Sequence, residues 1–285
     1  MATTTTAPTA RSTEQRSAVN PLRQTLRLTR TEFTLFYRYR MALYAAVLPL
    51  VFLVPVFSMG PGELLPGIDA VAFSLTNFFA MAAMTIGVVH VSNVYAARRE
   101  QLVLKRFRVA GVPPVAMFGA TALSVIAVVG VQSLAVIGAL VAMTGSPPAD
   151  PVMLVLSILL ISVVMTLFGA VITRFARNAE SAQMMAMAPF MLLIVASGFF
   201  VPLELLPDRL AQLFGYLPMV PAIELAQSAY FGHDFFAAAT APAAEPATGL
   251  RLWTAAVPAL AILLAWTAVL AYSLRYFRWD PRSAK

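Results

Sequence analysis

The stretch VAMFGATALSVIAVVGVQSLAVIGALVAM, residues 115–143, contains no charged side chain and one amide, Gln132. About 20 helical residues of this kind cross the hydrocarbon core of a bilayer, and a helix that is apolar on every side needs an apolar surround. Comparable runs occur near 41–59, 70–95, 152–173, 182–201 and 255–274. Six spans are therefore expected, and with them an all-α membrane protein. The whole chain agrees with this reading: of 285 residues 60% are hydrophobic and 12% charged, and mean hydropathy is +0.78, whereas a soluble domain is about a quarter charged.

An even number of spans puts both termini on one side, and the basic residues say which side. Arg11, Arg16, Arg23, Arg27, Arg30, Arg38 and Arg40 precede or open the first span; Arg98, Arg99, Lys105, Arg106 and Arg108 follow the second. Arg174, Arg177, Arg275, Arg278, Arg282 and Lys285 complete that side, which leaves only Arg209 and Arg251 for the other. Positive loops stay in the cytoplasm, so a multi-pass protein of the cytoplasmic (inner) membrane with both termini inside is expected. The net charge of +7 is on this account a topology signal, and no nucleic-acid partner is expected.

Several kinds of chemistry are excluded by the residues themselves. With no cysteine there is no disulfide, thiolate ligand or cysteine nucleophile. Two histidines without a neighbouring acidic cluster do not build a zinc site, which needs three or four converging ligands. An intramembrane serine protease needs a serine turn with a histidine in reach, and His90 and His233 fall toward opposite membrane faces. The polar residues inside the spans are Asn77, His90, Asn93 and Gln132; none is a fixed charge, and the carboxylate or paired-histidine relay of an ion-coupled carrier is missing.

Residues 1–19 are rich in Thr, Ala and Ser with scattered Arg, lack the apolar stretch of a signal peptide and are expected to be a disordered cytoplasmic tail; residues 20–285 form the membrane domain. Asn20 as N-cap and Pro21 at the first helical position open a helix. Leu22, Leu26, Thr29, Phe33 and Phe36 recur at helical spacing beside Arg23, Arg27 and Arg30, the apolar and basic faces of a helix lying on membrane lipid. The turns MGPGELLPG (59–67) and TGSPPADP (144–151) are short external connections. In 202–227, Leu203, Leu206, Leu210, Leu213 and Leu217 repeat at helical spacing while Asp208, Arg209 and Gln212 interrupt them, so this segment is too polar to span and is expected to dip into, or lie on, the outer leaflet. Residues 232–254 read as an external loop.

The connection YAARREQLVLKRFRVAGVPP (95–114) surrounds Leu102, Leu104, Phe107 and Val109 with Arg98, Arg99, Glu100, Lys105, Arg106 and Arg108 before Gly111, Pro113 and Pro114 end it. A short charged helix with apolar anchors suits a groove on a partner. This loop, RREQLVLKRFRVAGVPP, resembles the R-E-x(n)-L-K-R-x-R-x-x-x-x-P loop of the type-2 permeases of ATP-binding-cassette exporters. A second stretch, 196–227, is similar to that family's signature after the fifth span, on Ser197, Gly198, Pro202, Leu206, Pro207, Leu217, Pro218 and Pro221.

The resemblance covers roughly residues 21–275. It implies a re-entrant element at the external mouth, a second permease copy (a homodimer), and a soluble ABC ATPase subunit that binds ATP and Mg2+, since this chain has no G-x-x-x-x-G-K-[ST] phosphate loop. No catalytic, metal or cofactor-binding residue is therefore expected in this chain. Coupling to the ATPase is expected at Arg98, Arg99, Glu100, Leu102, Lys105, Arg106, Phe107 and Arg108, with Arg98, Arg99 and Glu100 as charged contacts, Leu102 and Phe107 as apolar anchors and the 21–38 helix flanking them. Met84 and Met187 are candidate linings of a path for an amphipathic drug, antibiotic or lipid, because methionine adapts to varied partners. Export of a glycan or lipid-linked precursor, and a secondary carrier, are the competing readings.

Overall fold

The computed structural model describes residues 21–38, 40–51, 53–58, 60, 62–65, 67–198, 207–236 and 245–280. The tail expected over 1–19, the Asn20 cap and Pro202 lie outside the described residues. Helix α1 spans Pro21–Arg38, followed by α2 (Arg40–Val51) and α3 (Leu53–Phe57). The span expected over 41–59 is thus represented among the described residues by two short apolar helices, Pro49 lying inside α2 and Pro55 inside α3. Each proline removes a backbone donor and pushes on the preceding turn.

The described residues between α3 and the next helix are more ordered than the glycines and prolines there suggest. Strand β1 (Glu63–Leu65) pairs antiparallel with β2 (Ile68–Asp69), and Asp69 then accepts the Ala72 amide at 2.9 Å as the N-cap of the next helix. That helix runs as one rod over Ala70–Glu100: α4 (Ala70–Met84), a π turn over Thr85–His90, and α5 (Val91–Glu100). After a short α6 (Val103–Val109) come α7 (Pro114–Thr144), α8 (Pro151–Ile172) and α9 (Ala179–Ala196). Prolines occupy the first position of α7 and α8, where the missing amide would have had no partner. Then follow α10 (Asp208–Gly215), α11 (Met219–Phe231) and α12 (Leu250–Ser273), which passes into a 3-10 turn over Leu274–Tyr276.

Five helices among the described residues are long and apolar enough to cross a membrane: Ala70–Glu100, Pro114–Thr144, Pro151–Ile172, Ala179–Ala196 and Leu250–Tyr276. The chain is a multi-pass, mostly helical membrane protein. The first two have 31 residues each, about 46 Å at 1.5 Å per residue. A hydrocarbon core is about 30 Å thick, so the connection that joins their ends can stand clear of it. The outer helices show the inside-out pattern a bilayer allows: Val131, Leu134, Met184, Leu192 and Val257 are all more than half exposed, while α4 and the π turn fill the centre, with Leu75, Phe79, Met84, Ile86 and Val88 wholly buried.

The centre also contains a close approach of two backbones. A Cβ added at Gly169 would lie 2.1 Å from the Gly87 carbonyl oxygen, and one added at Gly87 would lie 2.6 Å from Met165 Cβ. Glycine at both positions lets α8 and the π turn meet backbone to backbone, as small residues do between membrane helices.

Helix α11 corrects the expectation of a single polar segment over 202–227. Leu203 and Leu206 lie outside the described residues, and the leucine stripe breaks at Tyr216–Pro218. Before the break α10 keeps Leu210 and Leu213 exposed. After it, α11 packs against α8, α4 and α12 with eleven of its thirteen residues buried. Its carbonyls are satisfied from outside the helix. Ser157 donates to Ala222 O at 2.9 Å, and the Ala149 and Asp150 amides donate to Tyr230 O and Ala229 O at 3.1 and 2.8 Å, which closes the helix end. Between helices, Gln227 Nε2 donates to Asn77 Oδ1 at 3.0 Å. Asp208, Arg209 and Gln212, which interrupt the leucines, belong to α10, whereas the buried polar side chain of α11, Gln227, is paired inside the bundle.

The described residues at both ends of the 232–254 loop are tied together as well. The Asp234 amide donates to Glu245 O and the Ala247 amide to Gly232 O, both at 2.8 Å, and α12 begins at Leu250, five residues earlier than the apolar run near 255 suggested. Asp150 joins three elements here: one carboxylate oxygen caps α8 at the Met153 amide, 2.9 Å away, and the other accepts Trp253 Nε1 at 2.7 Å. Asp150→Ala is expected to lower stability by about 1–2 kcal/mol through the lost cap alone, and Asp150→Asn by less, because the amide oxygen still accepts one bond. Thermal melting in detergent checks the order; equal midpoints for Asp150→Ala and the wild type would contradict it.

Candidate functional site

The basic end of the bundle gathers three chain segments: the α5–α6–α7 connection, the α8–α9 connection, and the residues after α12. Arg99, in the last turn of α5, is 1% exposed. Its two terminal nitrogens donate to Thr173 O and Ala176 O, each at 2.7 Å. Thr173 is the C-cap of α8, where carbonyls lack helical partners and carry the negative end of the helix dipole. The guanidinium is therefore held by the backbone of the neighbouring connection. Next to it Glu100 Oε1 accepts the Ala179 amide at 3.0 Å, at the positive end of α9, and Asn93 Nδ2 donates to Ala179 O at 3.4 Å. Asn178 and Ser181 cap each other to start α9 at that point.

Beyond Glu100 the rod stops sharply. Leu102 has φ 60, the left-handed conformation that a side chain adopts at some cost, and this reverses the chain into α6. Within α6 the pattern is helical: Leu104 is wholly buried and Phe107, three residues on, packs against the same core. Lys105, Arg106, Arg108 and Val109 face outward, Val109 with 78% of its surface exposed and Leu102 with 43%. Gly111, at φ 72, and the Val112 amide donating to Phe107 O at 3.0 Å end the helix, and Pro113 leads into α7.

This geometry revises the expected coupling residues. Arg99 is inside the fold and cannot be a surface contact; burial of the guanidinium is stable because two carbonyls accept from it. Phe107 turns inward to anchor α6 on its own bundle, and Leu104 does the same. The outward apolar positions are Leu102 and Val109, flanked by Lys105, Arg106 and Arg108. Arg98 is half-buried, and Glu100 is exposed while still bound to the start of α9.

Helix α1 lies along α7, with Thr25, Leu28 and Thr29 half-buried and Leu26, Arg27 and Arg30 exposed; the side chains of Arg23 and Phe33 lie outside the described ones. At the opposite end, Ser197 donates to Ile194 O at 2.7 Å and Gly198, at φ 78, ends α9 in the left-handed region that glycine tolerates. Pro207 and Pro218 are the N-caps of α10 and α11, and Pro221 is buried in the first turn of α11. Met84 has no exposed surface, so within one chain it fills the core and offers nothing to a path. Met187, at 41% exposure, shares an open face of α9 with Met184 and Met191.

Arg99's role escaped sequence reasoning because a basic residue in a basic loop looks solvated; the signal available was its place in the last turn of a helix. The Gly87–Gly169 crossing left no pattern in either segment alone.

No curated protein matches the chain with significance. The sequence pattern of a family described as ABC-2 family transporter protein matches residues 46–273. That match takes in the α4–α7 connection, the α9–α12 segment and every long apolar helix described above, and the chain therefore belongs to the ABC-2 family of transporter proteins.

Proposed function

We propose that this chain is the membrane-spanning permease of an exporter driven by a separate ATP-hydrolysing subunit that docks on α6. The observation that carries the reading is the build of α6: a short helix locked to the bundle by Leu104 and Phe107, with Leu102, Val109 and three basic side chains left facing outward. A surface helix held so firmly can transmit a push, and an apolar centre with a charged rim suits a protein interface. Family membership supports the need for such a partner. ATP and Mg2+ are assigned to it, because this sequence contains no phosphate loop.

The concentration of basic residues at the α6 end assigns that end, and both termini, to the cytoplasm of an inner membrane. Helix α11, short and buried between spans, is the re-entrant element of the external mouth. Two copies pair around the path, and closure of the ATPase rocks them to change which side it opens to. A hydrophobic or amphipathic cargo, drug, antibiotic or lipid-like, fits the open methionine face of α9. Met187→Trp is the variant that probes this.

The test is recovery of the tagged chain from its native membranes, with ATPase measured on whatever soluble subunit accompanies it. A phosphate-loop subunit is expected in the wild-type eluate and its loss in Arg106→Glu/Val109→Asp, at unchanged membrane level. A wild-type chain that arrives without any ATPase would remove the energy source and shift the weight to a secondary carrier.

A further inference from the structure

The segment after α12 makes contact with each of the other chain segments at the basic end. Phe277 is 7% exposed and its ring stands edge-on to three others: Phe118 at 5.1 Å, Trp279 at 5.4 Å and Tyr95 at 5.7 Å between centroids. Edge-to-face packing of this kind fixes orientation as well as burying area. Tyr95 lies one turn before Arg99 in α5, and its hydroxyl donates to Thr121 Oγ1 in α7 at 2.8 Å; Phe118 is in the first turns of α7. The nest thus spans the two helices from whose ends α6 is suspended. On one side of it the Tyr276 ring lies 4.9 Å from the Arg174 guanidinium of the α8–α9 connection, a cation–π contact. On the other, Asp280 reaches Arg108 of α6 at 3.9 Å, with both side chains more than half exposed.

We infer that residues 274–280 form a strap that holds α6 in its docking orientation, with Phe277 as the positioning residue. The inference rests on the reading of α6 as the ATPase dock. The exposed Arg108–Asp280 pair contributes little by itself; the aromatic nest does the holding, and the ion pair sets the direction in which the strap lies against α6. Without Phe277 the ends of α5 and α7 keep the Tyr95–Thr121 bond but lose the ring that braces both, and α6, still seated by Leu104 and Phe107, tilts more freely about Leu102 and Gly111, both of which have positive φ.

The strap is tested with the phosphate-loop subunit recovered with the wild-type chain, purified and titrated back onto full-length variants in detergent. Phe277→Ala is expected to weaken its binding about tenfold, within the usual range of coupling between sites, and Phe277→Tyr, which keeps the ring, to bind like the wild type. Phe73→Ala is the control for general loosening. Phe73 belongs to an aromatic group at the far end, 5.3 Å from Phe235 and 6.0 Å from Phe231, and its loss is expected to lower stability with docking unchanged.

Docking by Phe277→Ala at wild-type strength, while Arg106→Glu/Val109→Asp abolishes it, would overturn the strap and leave the dock standing. An equal loss in Phe73→Ala would also overturn it. If Phe277→Ala does not reach the membrane, Trp279→Ala decides instead: its half-buried ring stands edge-on to Phe277 at 5.4 Å, and unchanged docking there overturns the proposal. A wild-type chain that binds no ATPase overturns the dock and the strap together.

Discussion

Gly169→Ala is expected to destabilise the bundle more than alanine at any other described glycine of its membrane helices. The added methyl would sit 2.1 Å from the Gly87 carbonyl oxygen and 3.1 Å from that of Val88, and a backbone carbonyl cannot swing aside as the end of a side chain can. The two helices must separate by more than an ångström, which strips contacts from Met165, Ile86 and their neighbours along the crossing. Overpacking of a close-packed interior costs about 1–3 kcal/mol, and a clash between two backbones falls at or beyond the upper end. Gly87→Ala meets Met165 and the Thr166 amide at 2.6–2.8 Å and is expected to be nearly as damaging.

Gly130→Ala and Gly138→Ala, in α7, meet nothing within 4 Å and are expected to be neutral or to stabilise by up to about 1 kcal/mol through helix propensity. Thermal melting of the purified protein in detergent separates the pairs. Coincident curves for Gly169→Ala and Gly138→Ala would mean that the crossing is looser than described.

Arg99→Ala is expected to release the α8–α9 connection from the end of α5. Two bonds of 2.7 Å from a buried guanidinium are lost, each of the charge-assisted kind worth about 1.5–3 kcal/mol, and Thr173 O and Ala176 O lose their donor in a place that water reaches poorly. Arg99→Lys is expected to recover only part of the loss, since a single ammonium does not reproduce the two-pronged geometry of the guanidinium. Arg177 in the released connection is exposed, so trypsin reports directly: cleavage after Arg177 should accelerate about tenfold in the alanine variant, following the population of the open form. Cleavage at the wild-type rate would show that Glu100 and Asn93 hold the connection without it. The clamp also bears on coupling, because it joins the segment carrying α6 to the start of α9, and a displacement of one end is passed to the other helix.

The long spans were legible in the sequence because crossing a hydrocarbon layer is a condition on length and polarity alone. The runs over 115–143 and 152–173 match α7 and α8 to within a residue or two, and any helix carrying those residues would seek the same medium. The basic asymmetry is equally one-dimensional, and the orientation assigned above rests on it. The short helix after Glu100 was legible too, from its charges, its leucines and the glycine and prolines that end it.

The partners of the polar side chains could not be read in this way. Arg99 and Arg106 are both basic residues of one short connection, yet one is sealed against two carbonyls and the other faces outward; the difference is the α8 C-terminus, which lies more than 70 residues further along the chain. Of the two expected apolar anchors Leu102 faces outward and Phe107 packs on its own bundle beside Leu104, a division that periodicity does not record because it depends on how the left-handed turn at Leu102 sets α6 against the other helices. The partner of Asn77, read only as a polar residue inside a span, is Gln227, and that bond, with the Asp150 amide at the helix end, lets α11 sit among apolar helices. Composition and run length determined that this chain belongs in a membrane and where it crosses. Tertiary structure alone decided which glycines touch, which charges are buried and which face of α6 is free, since burial of a polar or small residue is favourable only when a particular partner arrives from elsewhere in the chain.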